Sequence, residues 1–277
     1  MAQLSAFVDE VTDDFLGQVK YLASENIRHI ELRFLNKKNV INLNKAELTE
    51  AGKIIADYGL GVSAIGSPIG KVRLDEPFAQ HLDIFKSAVE CALFFKTRFI
   101  RVFSYYAPEG KDIKDYRSEV IDRFSAEVEV IKNIDIVIVH ENETNIYGHS
   151  AESCVDIVEA VNSPKLRLVY DPGNFVWGQG IVDNVASCWP KMKPYVAHVH
   201  IKDWQLGSDV GSIPGQGDGQ IRELLKELAH CEYDGFLTME PHLQAGGKFG
   251  GKTGPELFSK ATSAVRKLAA EVGLECT

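Results

Sequence analysis

The feature that most constrains this chain is a repeated alternation. Short apolar runs of strand length are each followed by a longer stretch with apolar residues at helical spacing. The runs are Leu4–Val8, His29–Arg33, Gly61–Gly66, Phe99–Phe103, 134–140, 166–171, 196–202 and 235–240. The first is followed by DDFLGQVKYLASENI, where Asp13 or Thr12 suits the N-cap. Further helical segments cover 45–58, 78–95, 116–132, 150–161, 182–192, 221–230 and 255–271. Eight alternations in 277 residues, with near-continuous apolar strands, predict a parallel sheet closed on itself. That is a (β/α)8 barrel, an α/β fold in a single domain over residues 1–277. An open doubly wound sheet is the competing arrangement. It usually carries a glycine fingerprint after its first strand, and LSAFVDEVTDD has none.

Composition narrows the class of protein. A core of this size needs no disulfide staples, and the five cysteines are scattered with no CxxC pair. Reduced thiols and a cytoplasmic location are expected, and a zinc finger or redox motif is not. A formal net charge of −9 gives no footprint for nucleic acid. No apolar run reaches the ~18 residues of a membrane span, and the N-terminus lacks the pattern of a signal peptide.

Chemistry concentrates in His198-Val199-His200-Ile201-Lys202-Asp203, at the end of the seventh run. Alternation turns His198, His200 and Lys202 to one face of a buried strand, where polar groups are costly unless bound or paired. Three other strand ends carry a carboxylate: Glu141 in VIVHENE, Asp171 in LVYDPGN and Glu240 in LTMEPH. In a barrel these ends meet at the mouth where βα loops build active sites. Three carboxylates and an imidazole brought together would repel, and a divalent cation resolves the conflict. Oxygen-rich ligation with one nitrogen suits Mn²⁺ first, with Mg²⁺, Co²⁺ and Zn²⁺ also compatible.

Each residue also has a plainer reading. Any single acid at a strand end is an ordinary cap or solvated group, and Asp171 before Pro172-Gly173 is a common turn former. Alternation does not separate His198 from His200: one suits a ligand, the other a substrate or supporting donor. Lys202 fits a structural pairing with Asp203 or with a barrel carboxylate. Arg101 points inward from an apolar strand, as a charge partner or substrate contact. The glycines of Gly215-Gln216-Gly217-Asp218-Gly219 expose N–H groups suited to a phosphate or sugar hydroxyl. The turn Gly66–Lys71 lacks the spacing of a nucleotide-binding loop. No GxSxG elbow is present, so nucleophilic acyl transfer is not expected.

At these residues the chain resembles the xylose isomerase-like TIM-barrel superfamily of sugar phosphate isomerases and epimerases. The resemblance rests on Glu141-Asn142, on the DxxN from Asp171 to Asn174, on the HxHxKD at 198–203 and on Glu240. It covers nearly the whole chain. It implies one divalent metal ion on Glu141, Asp171, His200 and Glu240. It further implies Glu141 and Glu240 as the acid/base pair acting on opposite faces of a ketose through an enediolate. The chain departs from the ketose 3-epimerases at Tyr147, Leu206 and Asn174, where they carry a glutamate, an arginine and a histidine. The superfamily's apurinic endonucleases use more metal ligands and a basic groove, which the charge balance disfavours.

The expected activity is therefore a metal-dependent isomerase or epimerase of a small sugar or sugar phosphate. His198, Asn174, Arg101, Lys71 and Asp203 are the candidates for substrate contacts. A dehydratase of the inosose or dehydroshikimate type, sharing the same proton abstraction, is the first alternative. A non-catalytic sugar- or metal-binding barrel is the second. No nucleic-acid or membrane partner is expected, and barrels of this type often form homo-oligomers.

Overall fold

We describe the chain from a computed structural model covering residues 1–246 and 251–277. Eight barrel strands follow the predicted runs: β1 (Gln3–Ala6), β2 (His29–Leu32), β3 (Gly61–Gly66), β4 (Phe99–Val102), β5 (Val137–Glu141), β6 (Leu166–Tyr170), β7 (Val196–Ile201) and β8 (Phe236–Met239). They pair in parallel in the order β1-β8-β7-β6-β5-β4-β3-β2. β1 and β2 lie side by side at the remaining seam, so the barrel is nearly closed. The architecture is the (β/α)8 TIM barrel in one domain, not the open doubly wound sheet. Two short hairpins, 34–39 and 203–212, decorate the loops.

Alternation along the strands separates two cores. Val137, Val139 and Val169, with Phe99 and Ala197 against them, form one small cluster. Their neighbours Ile138, Leu168 and Tyr170 belong to the larger core shared with the helices. Those helices are α1 (Phe15–Ser24), α2 (Lys45–Asp57), α3 (Phe78–Phe95), α4 (Arg117–Ile131), α5 (Ala151–Val161), α6 (Pro172–Gln179), α7 (Asn184–Ser187), α8 (Trp189–Met192), α9 (Ile221–His230) and α10 (Pro255–Val272). α9 shows how they attach: Ile221, Leu224, Leu225 and Leu228 form one buried stripe on a helix otherwise polar. The N-cap of α1 is Asp14, just beyond the expected Asp13 or Thr12; its Oδ2 accepts from the Gly17 N–H at 2.7 Å. No helix among the described residues is long and apolar enough to cross a membrane.

Two elements differ from the sequence expectation. The helix expected over 182–192 is two short turns, α7 and α8, meeting at Cys188. Pro190 has no N–H to continue a hydrogen-bond ladder from α7. The turn expected at Asp171-Pro172-Gly173 is instead the start of α6. Asp171 is its N-cap, accepting from the Asn174 N–H at 3.0 Å, and Pro172 occupies the first helical position, where a missing N–H costs nothing.

A buried polar network fixes the loops after β3 and β4. Gly70 (φ 82°) admits no side chain, because a Cβ there would lie 1.9 Å from the Phe103 carbonyl oxygen. Its N–H donates to His81 Nε2 at 3.1 Å, and Arg123 donates to the Leu74 carbonyl at 2.5 Å. Beside them the Tyr105 hydroxyl donates to Glu127 at 2.6 Å. Burial pushes the Glu127 carboxyl up to about 8, against the pull of Tyr105 and Arg123. A carboxyl raised in the folded state gives stability that is full below its unfolded value of 4.5 and is lost as pH climbs through about 8. Glu127→Gln is therefore expected to flatten the fall in stability over that interval, read from denaturant midpoints at stepped pH. An unchanged slope would remove Glu127 as its source.

Candidate metal centre and active site

Four strand ends deliver the central cluster. Glu141 is the last residue of β5, Asp171 follows β6, His200 lies on β7 and Glu240 follows β8. The ladder pairs Thr238 with His200, which sets the exit of β8 beside the imidazole. His200 Nδ1 lies 3.6 Å from Glu141 Oε1, 3.9 Å from Asp171 Oδ2 and 3.4 Å from Glu240 Oε2. The four residues offer ligand atoms all within 4.8 Å of one another. Asp171 Oδ2, Glu240 Oε2 and both ring nitrogens of His200 are buried without a hydrogen-bond partner. Orphaned polar atoms at this density are rare in a native interior. Three carboxylate oxygens and one imidazole nitrogen form the donor set of a hard or borderline divalent cation. The residues fit such an ion.

A ring of charges surrounds the cluster. Glu141 turns one oxygen to His200 and the other to Arg101, at 2.7 Å. Glu240 does the same, with Arg33 at 2.7 Å on its outer oxygen. Arg33 also holds Asp9 at 2.8 Å and lies 4.3 Å from the centre of the Phe7 ring. Lys202 Nζ sits 3.6 Å from Asp171 and 3.8 Å from Glu240, and donates to Asn174 Oδ1 at 3.0 Å. Asn174 in turn donates to Glu141 Oε1 at 2.9 Å.

These contacts divide the carboxylates. Burial alone would raise Glu141, but His200 and Arg101 outweigh it and hold the group well below the usual range. Glu240 is held low in the same way, by Lys202 and His242 against burial. Asp171 goes the other way: burial pushes it up to about 7, helped by Glu141 and Glu240 and opposed by Lys202. Burial opposes the charged form of His200, yet Glu141 and Glu31 hold its pKa well above the ordinary value. A proton on His200 thus supplies positive charge that a bound cation would supply instead.

The remaining sequence candidates fall into two groups. Asn174, Arg101 and Lys71 line the cavity above the cluster. Lys71 stands there against Glu143 at 3.1 Å and over the Phe103 ring at 4.1 Å. His198 does not reach the cavity. It is fully buried, with Nε2 on Glu31 at 2.8 Å and on Thr238 at 2.9 Å. Glu31 also approaches His200 Nε2 at 3.5 Å, which makes this pair a support for the imidazole and not a substrate contact. Asp203 is likewise withdrawn. Its carboxylate accepts from the N–H groups of Gly215, Gly217 and Gly219 at 2.7, 3.0 and 2.9 Å. The glycine loop's donors are therefore spent on an internal anion, and no phosphate cradle remains there. Lys202 pairs with barrel carboxylates, not with Asp203. Of the departures from the epimerase pattern, Tyr147 donates to Asp156 at 2.7 Å and Leu206 is on the surface.

Arg33, Glu31 and the tryptophans Trp177 and Trp204 are not among the sequence candidates, and His242 is placed beside Glu240 there without a role. The first two carried a signal: in HIELR they alternate with apolar residues, as Arg101 does in FIRVF. His242 follows Glu240 by two residues, beyond the end of β8, and lies 3.2 Å from its outer oxygen. Together with Glu10 these two form a second group of ligand-type atoms, but Arg33 already neutralises it. The tryptophans gave no signal at all.

The cavity holds about 670 Å³, enough for a small organic ligand, and opens at the C-terminal mouth of the barrel. A barrel with a buried acid–imidazole cluster under such a cavity defines a class: TIM-barrel proteins whose candidate site lies at the C-terminal mouth. Within that class, residues 19–268 match the xylose isomerase-like TIM barrel family, and the chain belongs to it.

Among curated proteins, an uncharacterised protein of Methanocaldococcus jannaschii is 27% identical over 169 residues, 57% of this chain and 56% of that protein. The fructoselysine 3-epimerase of Shigella flexneri is 24% identical over 180 residues, 63% of this chain and 64% of the enzyme. The chain thus matches less than two thirds of either relative. Among solved structures, the D-psicose 3-epimerase of Clostridium cellulolyticum H10, crystallised with D-tagatose, superposes with a TM-score of 0.77 at 14% identity, covering 99% of this chain and 100% of that one. A Mycobacterium smegmatis protein of this family in complex with magnesium gives 0.77 at 14%, covering 99% and 98%. A probable 3-DHS dehydratase of Bacillus anthracis gives 0.75 at 16%, covering 96% and 99%. At these identities the superpositions establish the fold.

Proposed function

We propose that this chain is a divalent-metal-dependent isomerase or epimerase of a sugar or sugar phosphate. The observation that carries the reading is the pair of carboxylates Glu141 and Glu240. Each turns one oxygen into the four-atom cluster and the other to a guanidinium, Arg101 or Arg33. Glu141, Asp171, His200 and Glu240 would hold the ion. A divalent cation there supplies positive charge that acidifies the carbon next to a bound carbonyl.

Glu141 and Glu240 rest ionised, so either can accept the proton from that carbon as a general base. They enter from β5 and β8, on different sides of the mouth, which suits removal on one face and return on the other. Lys202 and Asn174 orient the carboxylates, and Arg33, Arg101 and Lys71 face the substrate's oxygens. Relatives named as epimerases of ketoses and of fructoselysine favour this outcome. The dehydratase neighbour supports the second reading, in which the same abstraction ends in loss of a hydroxyl.

The test is deuterium incorporation from D₂O into a panel of ketoses and keto-polyols, followed by NMR with Mn²⁺-loaded protein. Exchange at one carbon is expected, and the product, epimer or enone, selects between the readings. No exchange across the panel would sink both.

The ion has its own readout. Mn²⁺ at ~100 times its Kd adds about 2.7 kcal/mol to a protein that binds it only when folded. For a chain of this size that is roughly 5 °C in Tm. Metal-stripped protein is expected to gain this on Mn²⁺ addition, and Asp171→Ala to lose the gain. An unmoved Tm in the parent protein would contradict the metal assignment.

A further inference from the structure

Resting on that reading of the cluster as the reacting end, we infer that the natural substrate is longer than one sugar ring. Its distal ring stacks on an aromatic wall made by Trp177 and Trp204.

The cavity is divided by chemistry. Its floor carries Glu141 and Glu240, both nearly fully buried. Its outer wall carries Trp177 and Trp204, whose rings stand 6.0 Å apart at 54°. Trp204 is buried, but Trp177 is 52% exposed, an unusual placement for the largest apolar side chain unless something covers it. Leu206, 55% exposed, stands over the end of the same helix.

The wall is built to stay in place. α6, which carries Trp177, is clamped at both ends. A Cβ on Gly173 would lie 2.6 Å from the Lys202 side chain, and one on Gly178 would lie 2.0 Å from Thr144. Trp204 is fixed by its indole N–H, which donates to the Ser208 carbonyl at 2.9 Å, and by Asp203 clasping the glycine loop beneath it. The three-glycine clasp therefore has a role after all: it braces the wall.

Several features of the wall select a sugar ring as occupant. It lines the same cavity as the floor, so one extended molecule can reach both. Asn39, Asp209 and Gln244 line the same cavity. Indole faces with amide and carboxylate groups nearby match the mixed surface of a pyranose, with C–H groups to the ring and hydroxyls to the polar side chains. At about 670 Å³ the cavity falls in the ~300–1,000 Å³ range of sites that enclose drug-sized ligands, more than a six-carbon ketose fills.

The test is calorimetric titration of the Mn²⁺-loaded protein with D-fructose and with two disaccharides that keep a free ketose, isomaltulose and leucrose. The two-ring ligands are expected to bind at least tenfold more tightly than fructose, and Trp177→Ala to bring that ratio close to one. Lack of a two-ring preference in the parent protein, including the case where no ligand binds, overturns the inference. So does a variant that keeps the ratio. Sedimentation of both proteins covers the remaining occupant: if Trp177→Ala dissociates a dimer, the wall is an interface between copies and the inference fails. Binding is read apart from turnover. Exchange on fructose without a two-ring preference would leave the proposed function standing and remove only this step, and the converse would remove only the chemistry.

Discussion

Replacing Glu240 with glutamine is expected to slow proton exchange about 10²–10⁴-fold on the epimer whose hydrogen faces Glu240, the usual contribution of a positioned general base. Glutamine keeps the shape and an oxygen that can face the cluster, but it cannot take up a proton. Glu141→Gln should behave as the mirror image. If the two carboxylates serve opposite faces of the substrate, each variant loses interconversion of the epimers. Each nevertheless retains exchange on the one epimer whose hydrogen faces the intact carboxylate. NMR in D₂O, started separately from each epimer, reads this directly. Two variants with rates within tenfold of the parent would show that neither carboxylate moves the proton.

The second large effect falls on stability. Arg33 lies 2.8 Å from Asp9 and 2.7 Å from Glu240, at the centre of a group that also includes Glu10 at 4.0 Å. Its side chain is 6% exposed. Arg33→Met leaves these carboxylates buried without their counter-charge, and breaking a buried pair from one side typically costs about 3–5 kcal/mol. Burial already pushes Glu10 up to about 8 despite Arg33, and Asp9 is raised as well. Without the guanidinium, both acids move further up and fold most readily when protonated. The cost should therefore grow as pH rises from about 5 and shrink as it falls. Arg33→Lys should lie between the two, since one ammonium replaces a planar fork that spans Asp9 and Glu240. Guanidinium denaturation at several pH values measures the effect. A cost below about 1 kcal/mol for Arg33→Met would mean that the ion pairs contribute little.

The two predictions separate what a linear reading reaches from what it does not. Glu141, Asp171, His200 and Glu240 were legible because each ends an apolar strand, and a parallel barrel brings all its strand ends to one mouth. Arg101 was legible for a related reason, as a charge inside an apolar run. Arg33 and Glu31 carry the same signal in HIELR, but their partners, Glu240 and His198, are 207 and 167 residues away, respectively. A charge without a visible partner reads as an ordinary strand residue. His198 shows the limit of alternation: period two puts it on the same face as His200 but is silent on depth, and its position one step down the strand leaves it under the cavity floor.

Local motifs misled where a side chain from elsewhere used them. The glycine loop at 215–219 has the form of an anion cradle and binds an anion, but that anion is Asp203. Asp171-Pro172 has the form of a turn and becomes an N-cap, because the chain beyond it finds room to coil against the Lys202 stem.

The amino-acid order by itself determined the parallel strands, the closure and the four converging side chains, because hydrophobic period and strand-end chemistry are properties of neighbours along the chain. Only the tertiary structure decided how deep each polar side chain lies, which guanidinium meets which carboxylate, and that two tryptophans from separate loops share one wall. Those are distances between segments remote in sequence, set by strand register and by the few glycines that let backbones approach.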